Sequence, residues 1–342
     1  MNRSGFLYTL AAAILCCSLL LFTQCKTDEK PSDTEQPTDK VTLKIPSFDR
    51  DSAYAYVERQ VNFGPRVPNS EAHAQTAQWL VDKLSGFGFE TNMQQFTATA
   101  YTGEKLNAKN IIAQSNPDAP RRVLLTAHWD TRHIADKDPD ESRQDEPILG
   151  ADDGGSGVGV LLEVARQIQQ NPIPNLGVDI VLFDVEDYGK DNRITEEREG
   201  DENTWGLGSQ YWSKNPHVDP RKYSYGLLLD MVGSKDARFG KEAYSMQIAP
   251  NLVKNVWDLA QQMGYGNLFV NADGGGVWDD HVFVAKNARI PIIDIVNKPD
   301  PESFGHYHHT HADNMDVIDR RTLKAVGQVV LATVYRHANG TF

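Results

Sequence analysis

Short apolar runs of strand length alternate with longer amphipathic stretches along this chain. Runs at residues 110–114, 123–127, 178–183, 225–229 and 290–296 are bounded by turn residues or charge, which predicts buried strands. Residues 91–99 alternate apolar and polar, as an edge strand does. Residues 51–61, 70–87, 156–170, 251–263 and 320–337 carry helical spacing. Strands separated by helices predict an α/β fold: a three-layer sandwich with a central, mostly parallel mixed sheet flanked by helices. Ligands in such folds collect beyond the carboxyl ends of the strands. Asp130, Asp153, Glu186, Asp187 and Asp230 all fall there.

The N-terminus lies outside that pattern. Arg3 precedes an apolar stretch over residues 6–22, which predicts a secretory signal. The stretch ends at Cys25 and is followed by Lys26-Thr27-Asp28-Glu29-Lys30. This resembles a bacterial lipoprotein signal, in which Cys25 is lipidated, although Gln24 stands where a small residue is usual. A plain signal peptide and an uncleaved anchor are the alternatives, and the run is short for a stable span. The expectation is an exported protein, periplasmic or anchored at the outer membrane. The three cysteines, Cys16, Cys17 and Cys25, all lie in this segment, so no disulfide is expected in the mature domain. Residues 26–45 are polar and Pro-containing and read as a flexible tether. Residues 46–342 then form one catalytic domain, expected to be a monomer.

A net charge of -13 over 342 residues argues against a nucleic-acid partner, because phosphates need a basic surface. Membrane contact is expected only through the N-terminal lipid. Residues 189–204 are strongly polar and read as a solvated loop, though their start after Asp187 leaves a rim or lid open.

Acids and histidines at the predicted strand ends change the picture. Asp153 sits in Gly150-Ala151-Asp152-Asp153-Gly154-Gly155, where glycines allow a tight turn near a metal; a helix N-cap is the alternative. Glu186-Asp187 follows an apolar strand, and paired carboxylates there are costly unless a metal and a transferable proton compensate them. The alternative is that they merely open the charged loop. Asp230 ends another apolar run, and His309 lies in a histidine cluster followed by Asp313. Two carboxylates and a histidine suffice for a catalytic zinc with one open position.

The ordered set His128-Trp129-Asp130, Asp153, Glu186-Asp187, Asp230 and His309 resembles the zinc aminopeptidase superfamily, and within it the animal-type glutaminyl cyclases found also in bacteria. The resemblance spans residue 50 to the C-terminus. It implies one zinc per chain held by Asp153, Asp187 and His309, with Asp187 where the family usually has Glu. It implies Glu186 as general base and acid. Asp230 would position the substrate amine, and Asp280, in Trp278-Asp279-Asp280-His281, would hydrogen-bond Asp230. Trp205, Trp278, Asp294 and His308 would meet the substrate; Asp294 stands where animal cyclases carry histidine, and His308 where they carry tryptophan. The implied reaction turns the N-terminal glutamine of peptides or proteins into pyroglutamate with release of ammonia. The rival is a di-zinc aminopeptidase, with His128 among the ligands of the second metal. A non-catalytic surface lipoprotein on the same fold is a third reading.

Overall fold

A computed structural model describes residues 42–342, which form one compact unit. The leader and its Cys25 lie outside the described residues. Leu43 and Asn339 exchange two hydrogen bonds of 2.9 Å, and Gln328 Nε2 donates to Pro46 O at 2.9 Å. The folded unit therefore begins ahead of residue 46, and the end of the expected tether packs on the C-terminal helix. Among the described residues no helix is long and apolar enough to cross a membrane.

The main sheet has the order β1-β2-β4-β3-β5-β8. Its strands are β1 (Glu90–Thr99), β2 (Lys105–Ser115), β3 (Arg122–His128), β4 (Gly177–Phe183), β5 (Tyr223–Asp230) and β8 (Ile292–Val296). Strands β4, β3, β5 and β8 run parallel, while β1 and β2 add an antiparallel margin. Every residue of β3 and β4 is buried, because both faces are covered, and such strands must read as continuous apolar runs. One face carries α1 (Arg50–Val61), α2 (Glu71–Gly86), α3 (Gly155–Gln170), α6 (Pro250–Gln262) and α8 (Arg320–Asn339). The other carries α4 (Leu207–Lys214) and α7 (Asp280–Ala288) around Trp212, Phe183 and Leu228. The three-layer sandwich predicted from the alternation is present.

Local signals set the helix ends. Asp49 caps α1 through Asp51 N and Ser52 N, Ser70 caps α2 through His73 N, and Gly340 closes α8 in a left-handed conformation. Helices α4 and α7 were not evident in the sequence. They are eight and nine residues long, too short for a periodicity to declare itself. The same holds for α5 (Ala243–Ile248) and for the small sheet of β6 (Phe239–Lys241) and β7 (Phe269–Asp273).

Close packing of α3 on the sheet aims the preceding turn at the strand ends. A Cβ at Gly157 would lie 2.3 Å from Leu229 O and 2.9 Å from the Ala127 Cβ. Gly157→Ala must therefore push α3 off β5, at a cost of about 2 kcal/mol typical of overpacking. Urea denaturation of the two proteins measures it, and an unchanged midpoint would contradict this account of the helix seat.

Candidate active site

Three strand ends, the turn before α3 and one late loop deliver the acids and histidines to one cleft. Strand β3 brings His128, β4 brings Glu186 and Asp187, and β5 brings Asp230. The turn before α3 brings Asp153. It is not an N-cap: the cap position is Gly154, at φ 82, and no side chain caps α3. Gly154 is required there, since a Cβ would meet Asp130 O at 2.7 Å and His128 Cε1 at 2.9 Å.

His309 Nε2 lies 3.1 Å from Asp187 Oδ1 and 3.7 Å from Asp153 Oδ2. His308 Nε2 is 3.9 Å from the same Asp153 oxygen. Asp153 Oδ2 and both Asp187 oxygens are buried without a hydrogen-bond partner. Orphaned anionic oxygens facing an imidazole nitrogen are costly unless a cation completes them, so this donor set fits a metal ion. A second group sits beside it: His128 Nε2 is 3.0 Å from Asp153 Oδ1 and 3.2 Å from Asp230 Oδ1. Asp187 is 1% exposed, which rules out the reading in which it merely opens the charged loop.

Acid crowding dominates the electrostatics. Burial pushes the Glu186 carboxyl well above its ordinary value, with Asp279 and Asp187 adding to the rise against the opposing His128. Burial also lifts Asp187, helped by Asp153, and lifts Asp230 to about 7, helped by Asp279. Asp153 goes the other way: despite burial, His128 and His309 hold it below the carboxylate range. Burial and the Arg132 guanidinium keep His309 well below the usual imidazole value, which favours the neutral ring that a metal needs.

The backbone around these groups is strained. Val185, Met231 and His309 have φ of 57, 48 and 59, unusual for residues with a side chain and costly for a β-branched one. The surroundings hold them there. Asp130 accepts from Glu186 N and Asp187 N at 3.1 Å, and Leu207 N donates to Val185 O at 3.0 Å. Asp313 accepts from Asp152 N at 2.8 Å and Asp153 N at 3.1 Å, tying the histidine loop to the Asp153 turn. Asp184, paired with His73 at 2.9 Å, accepts from Val185 N. The pairing of Asp184 with His73 was not readable in the sequence, since the two residues lie 111 positions apart.

The cleft encloses about 290 Å³ and is walled by Trp205, Trp278 and Phe304, with His308 and Asp279 also on its lining. Trp205 stacks on His309, with centroids 5.8 Å apart and planes 9° apart. Two expected site residues are placed differently. Asp280 does not line the cleft and makes no hydrogen bond to Asp230; both its oxygens lack a partner. As the first residue of α7 it points toward Gly206, whose Cβ position lies 3.1 Å from Asp280 Oδ1. The preceding residue, Asp279, is the N-cap of α7 and faces the cleft and the charge of Asp230. An extended residue followed by a helical one sends two adjacent side chains in different directions, and the site takes the first. Asp294 is fully buried and absent from the cleft wall. It stands behind Asp279 beside His281, their ligand atoms within 4.8 Å of one another, and so does not touch a molecule in the cleft.

Comparison with known proteins decides the family. The chain matches the Peptidase family M28 profile over residues 110–334. The chain belongs to peptidase family M28. Within M28 it is similar to the structure of Tannerella forsythia glutaminyl cyclase, at TM-score 0.81 and 52% identity over 85% of this chain and 99% of that one. It is equally similar to Bacteroides thetaiotaomicron glutaminyl cyclase bound to N-acetylhistamine, at TM-score 0.82 and 49% identity over 85% and 99%. The glutaminyl-peptide cyclotransferase of Drosophila melanogaster is 23% identical over 294 residues, 78% of this chain and 75% of that protein. The chain is also similar to a Zn-dependent exopeptidase from Parabacteroides distasonis, at TM-score 0.82 and 50% identity over 85% of this chain and 99% of that one, so its neighbours include bacterial glutaminyl cyclases and a zinc enzyme.

Proposed function

We propose that this M28 protein converts the N-terminal glutamine of peptides and proteins to pyroglutamate at a single zinc held by Asp153, Asp187 and His309. The carrying observation is the placement of Glu186. Its carboxyl lines the same cleft as that donor set and the carboxylates Asp230 and Asp279, and burial gives it the raised proton affinity that a base-then-acid role needs. The similarity to solved bacterial glutaminyl cyclases supports the same reading.

The chemistry then follows from the walls of the cleft. A cleft of about 290 Å³ is at the small end for a ligand site and suits the terminal residues of a chain rather than a long segment. Trp205, Trp278 and Phe304 press the glutamine side chain back toward its own α-amine and exclude water, which holds the two reacting ends together. Bound zinc would polarise the side-chain amide carbonyl as a Lewis acid. Asp230 and Asp279 accept hydrogen bonds from the α-amine and orient its lone pair. As the new N–C bond closes the five-membered ring, Glu186 takes a proton from the amine. It returns that proton to the departing amide nitrogen as the old C–N bond breaks, and ammonia leaves. No water enters the balance.

The second reading, a di-zinc aminopeptidase, rests on the grouping of His128, Asp153 and Asp230. One experiment separates the two. Purified protein given a Gln-peptide should release ammonia and no free amino acid, should leave a Leu-anilide intact, and should hold one zinc per chain. Free leucine with two zinc ions per chain would make it a peptidase.

A further inference from the structure

The polar insert that follows Asp187 is tied to the candidate metal site through a buried ion pair that the reaction itself does not use. Arg132 and Asp136 are 0% and 5% exposed. All five Arg132 N–H groups are engaged. Nε and Nη2 grip Asp136 at 2.9 and 2.6 Å. Nη1 donates to Asp187 O and Gly189 O, and Nη2 also donates to Lys190 O, at 3.0 to 3.3 Å. The insert returns the contact: Asn192 N and Nδ2 both donate to Asp136 Oδ2 at 2.8 Å. Asp136 Oδ1, which also takes the Arg132 Nε bond, lies 3.6 Å from His309 Nδ1, on the opposite side of the ring from the nitrogen that faces Asp187 and Asp153, and Asn192 Nδ2 lies 3.4 Å from the same Nδ1. Trp205 packs on both partners, with the Arg132 guanidinium 4.6 Å from its ring centre and the His309 ring stacked on it.

We propose that Asp136, clamped by Arg132 and by Asn192 of the insert, is the positioning residue for His309. A histidine that gives Nε2 to a metal carries its proton on Nδ1, and a carboxylate facing that proton fixes both tautomer and ring orientation. Asp136 is the carboxylate facing it. Asn192 keeps that carboxylate turned, so the first residues of the insert belong to the support of the metal site rather than to a free loop. Coupling of this kind is reciprocal: zinc must order residues 189–192 as much as they favour zinc.

The inference rests on the reading of His309 as a zinc ligand, and the test distinguishes the two. Zinc affinity is read by competition with a chromophoric chelator, and folding of the zinc-free protein by its melting temperature. Asp136→Asn should weaken zinc about 10- to 100-fold, the range for lost outer partners of a ligand histidine. Because that variant strips buried Arg132 of its counter-charge and costs stability, Asn192→Ala is the deciding one. Asn192 is exposed, so N192A should keep the zinc-free melting temperature of the parent while weakening zinc roughly threefold or more. Hydrogen exchange of the 189–192 amides should slow when zinc is added to the parent and respond less in N192A. Parent-like zinc affinity in N192A, or in a folded D136N, overturns the positioning role. A His309→Ala protein that still holds zinc sinks the ligand assignment itself, and this role with it.

Discussion

Glu186→Gln should lower kcat on a Gln-peptide by about 10²- to 10⁴-fold, the span attributed to a positioned proton-transfer group. The exchange keeps the shape of the side chain and removes only its ability to take and return a proton. Zinc content should stay at the parent level, because Glu186 is not one of the three proposed ligands. Stability should hold or rise. Burial and the charges of Asp279, Asp187 and Asp280 raise the Glu186 carboxyl, so its charged form is disfavoured in the folded state and a neutral amide relieves that cost. Asp187→Asn provides the contrast: it should lose zinc and activity together. An E186Q enzyme retaining more than a tenth of parental kcat, with zinc bound, would remove Glu186 from the proton path.

The largest effect on stability is expected at the opposite end of the sheet. Arg122 begins β3, and Asp179 lies in β4, two residues beyond its paired partner Gly177. Both side chains are fully buried. Arg122 Nε donates to Asp179 Oδ2 at 2.8 Å and Nη2 donates to Oδ1, with Tyr223 OH at 2.5 Å and His217 Nε2 at 3.1 Å completing the carboxylate. Trp212 Nε1 donates to His217 Nδ1 at 3.1 Å, which leaves the proton on the Nε2 that meets Asp179. Asp179→Asn should cost about 3 kcal/mol or more in urea unfolding, because it strands a buried guanidinium. The double variant Arg122→Met/Asp179→Asn should lose less than the sum of the single variants, since the stranded charge is gone. Burial alone would raise the Asp179 carboxyl, but His217 and Arg122 hold it below its ordinary value. A lowered folded pKa gives stability that is complete above the unfolded value of about 4 and fades as pH falls through the lower folded one. The deficit of D179N should therefore shrink in acid. A deficit that stays constant from pH 6 to pH 3 would contradict the charge argument.

The acids of the site were legible because they stand at or near the ends of apolar runs, where a buried carboxylate has few structural excuses. Asp153, Asp187, His309 and Glu186 meet in one cleft as the sequence implied. The aspartate pair was harder. Asp279 and Asp280 differ by one position, and only the N-cap geometry of α7 shows which of them looks into the cleft. Asp294 has the neighbours of a site residue in sequence, yet the strand order places it behind Asp279. The insert offered no signal beyond polarity; its Asn192 matters only because the fold carries it to Asp136.

The sequence by itself determined the architecture and the family of chemistry. Alternating strand-length and helix-length periodicity admits few arrangements that bury every apolar face, and a parallel sheet places strand-end acids on one edge. Tertiary structure decided direction and support: which of two adjacent carboxylates faces the cleft, which face of His309 meets Asp136, and which buried charges are paired. Those are matters of a few ångströms and one backbone angle, set by the packing of elements far apart in the chain, and local pattern carries no information at that scale.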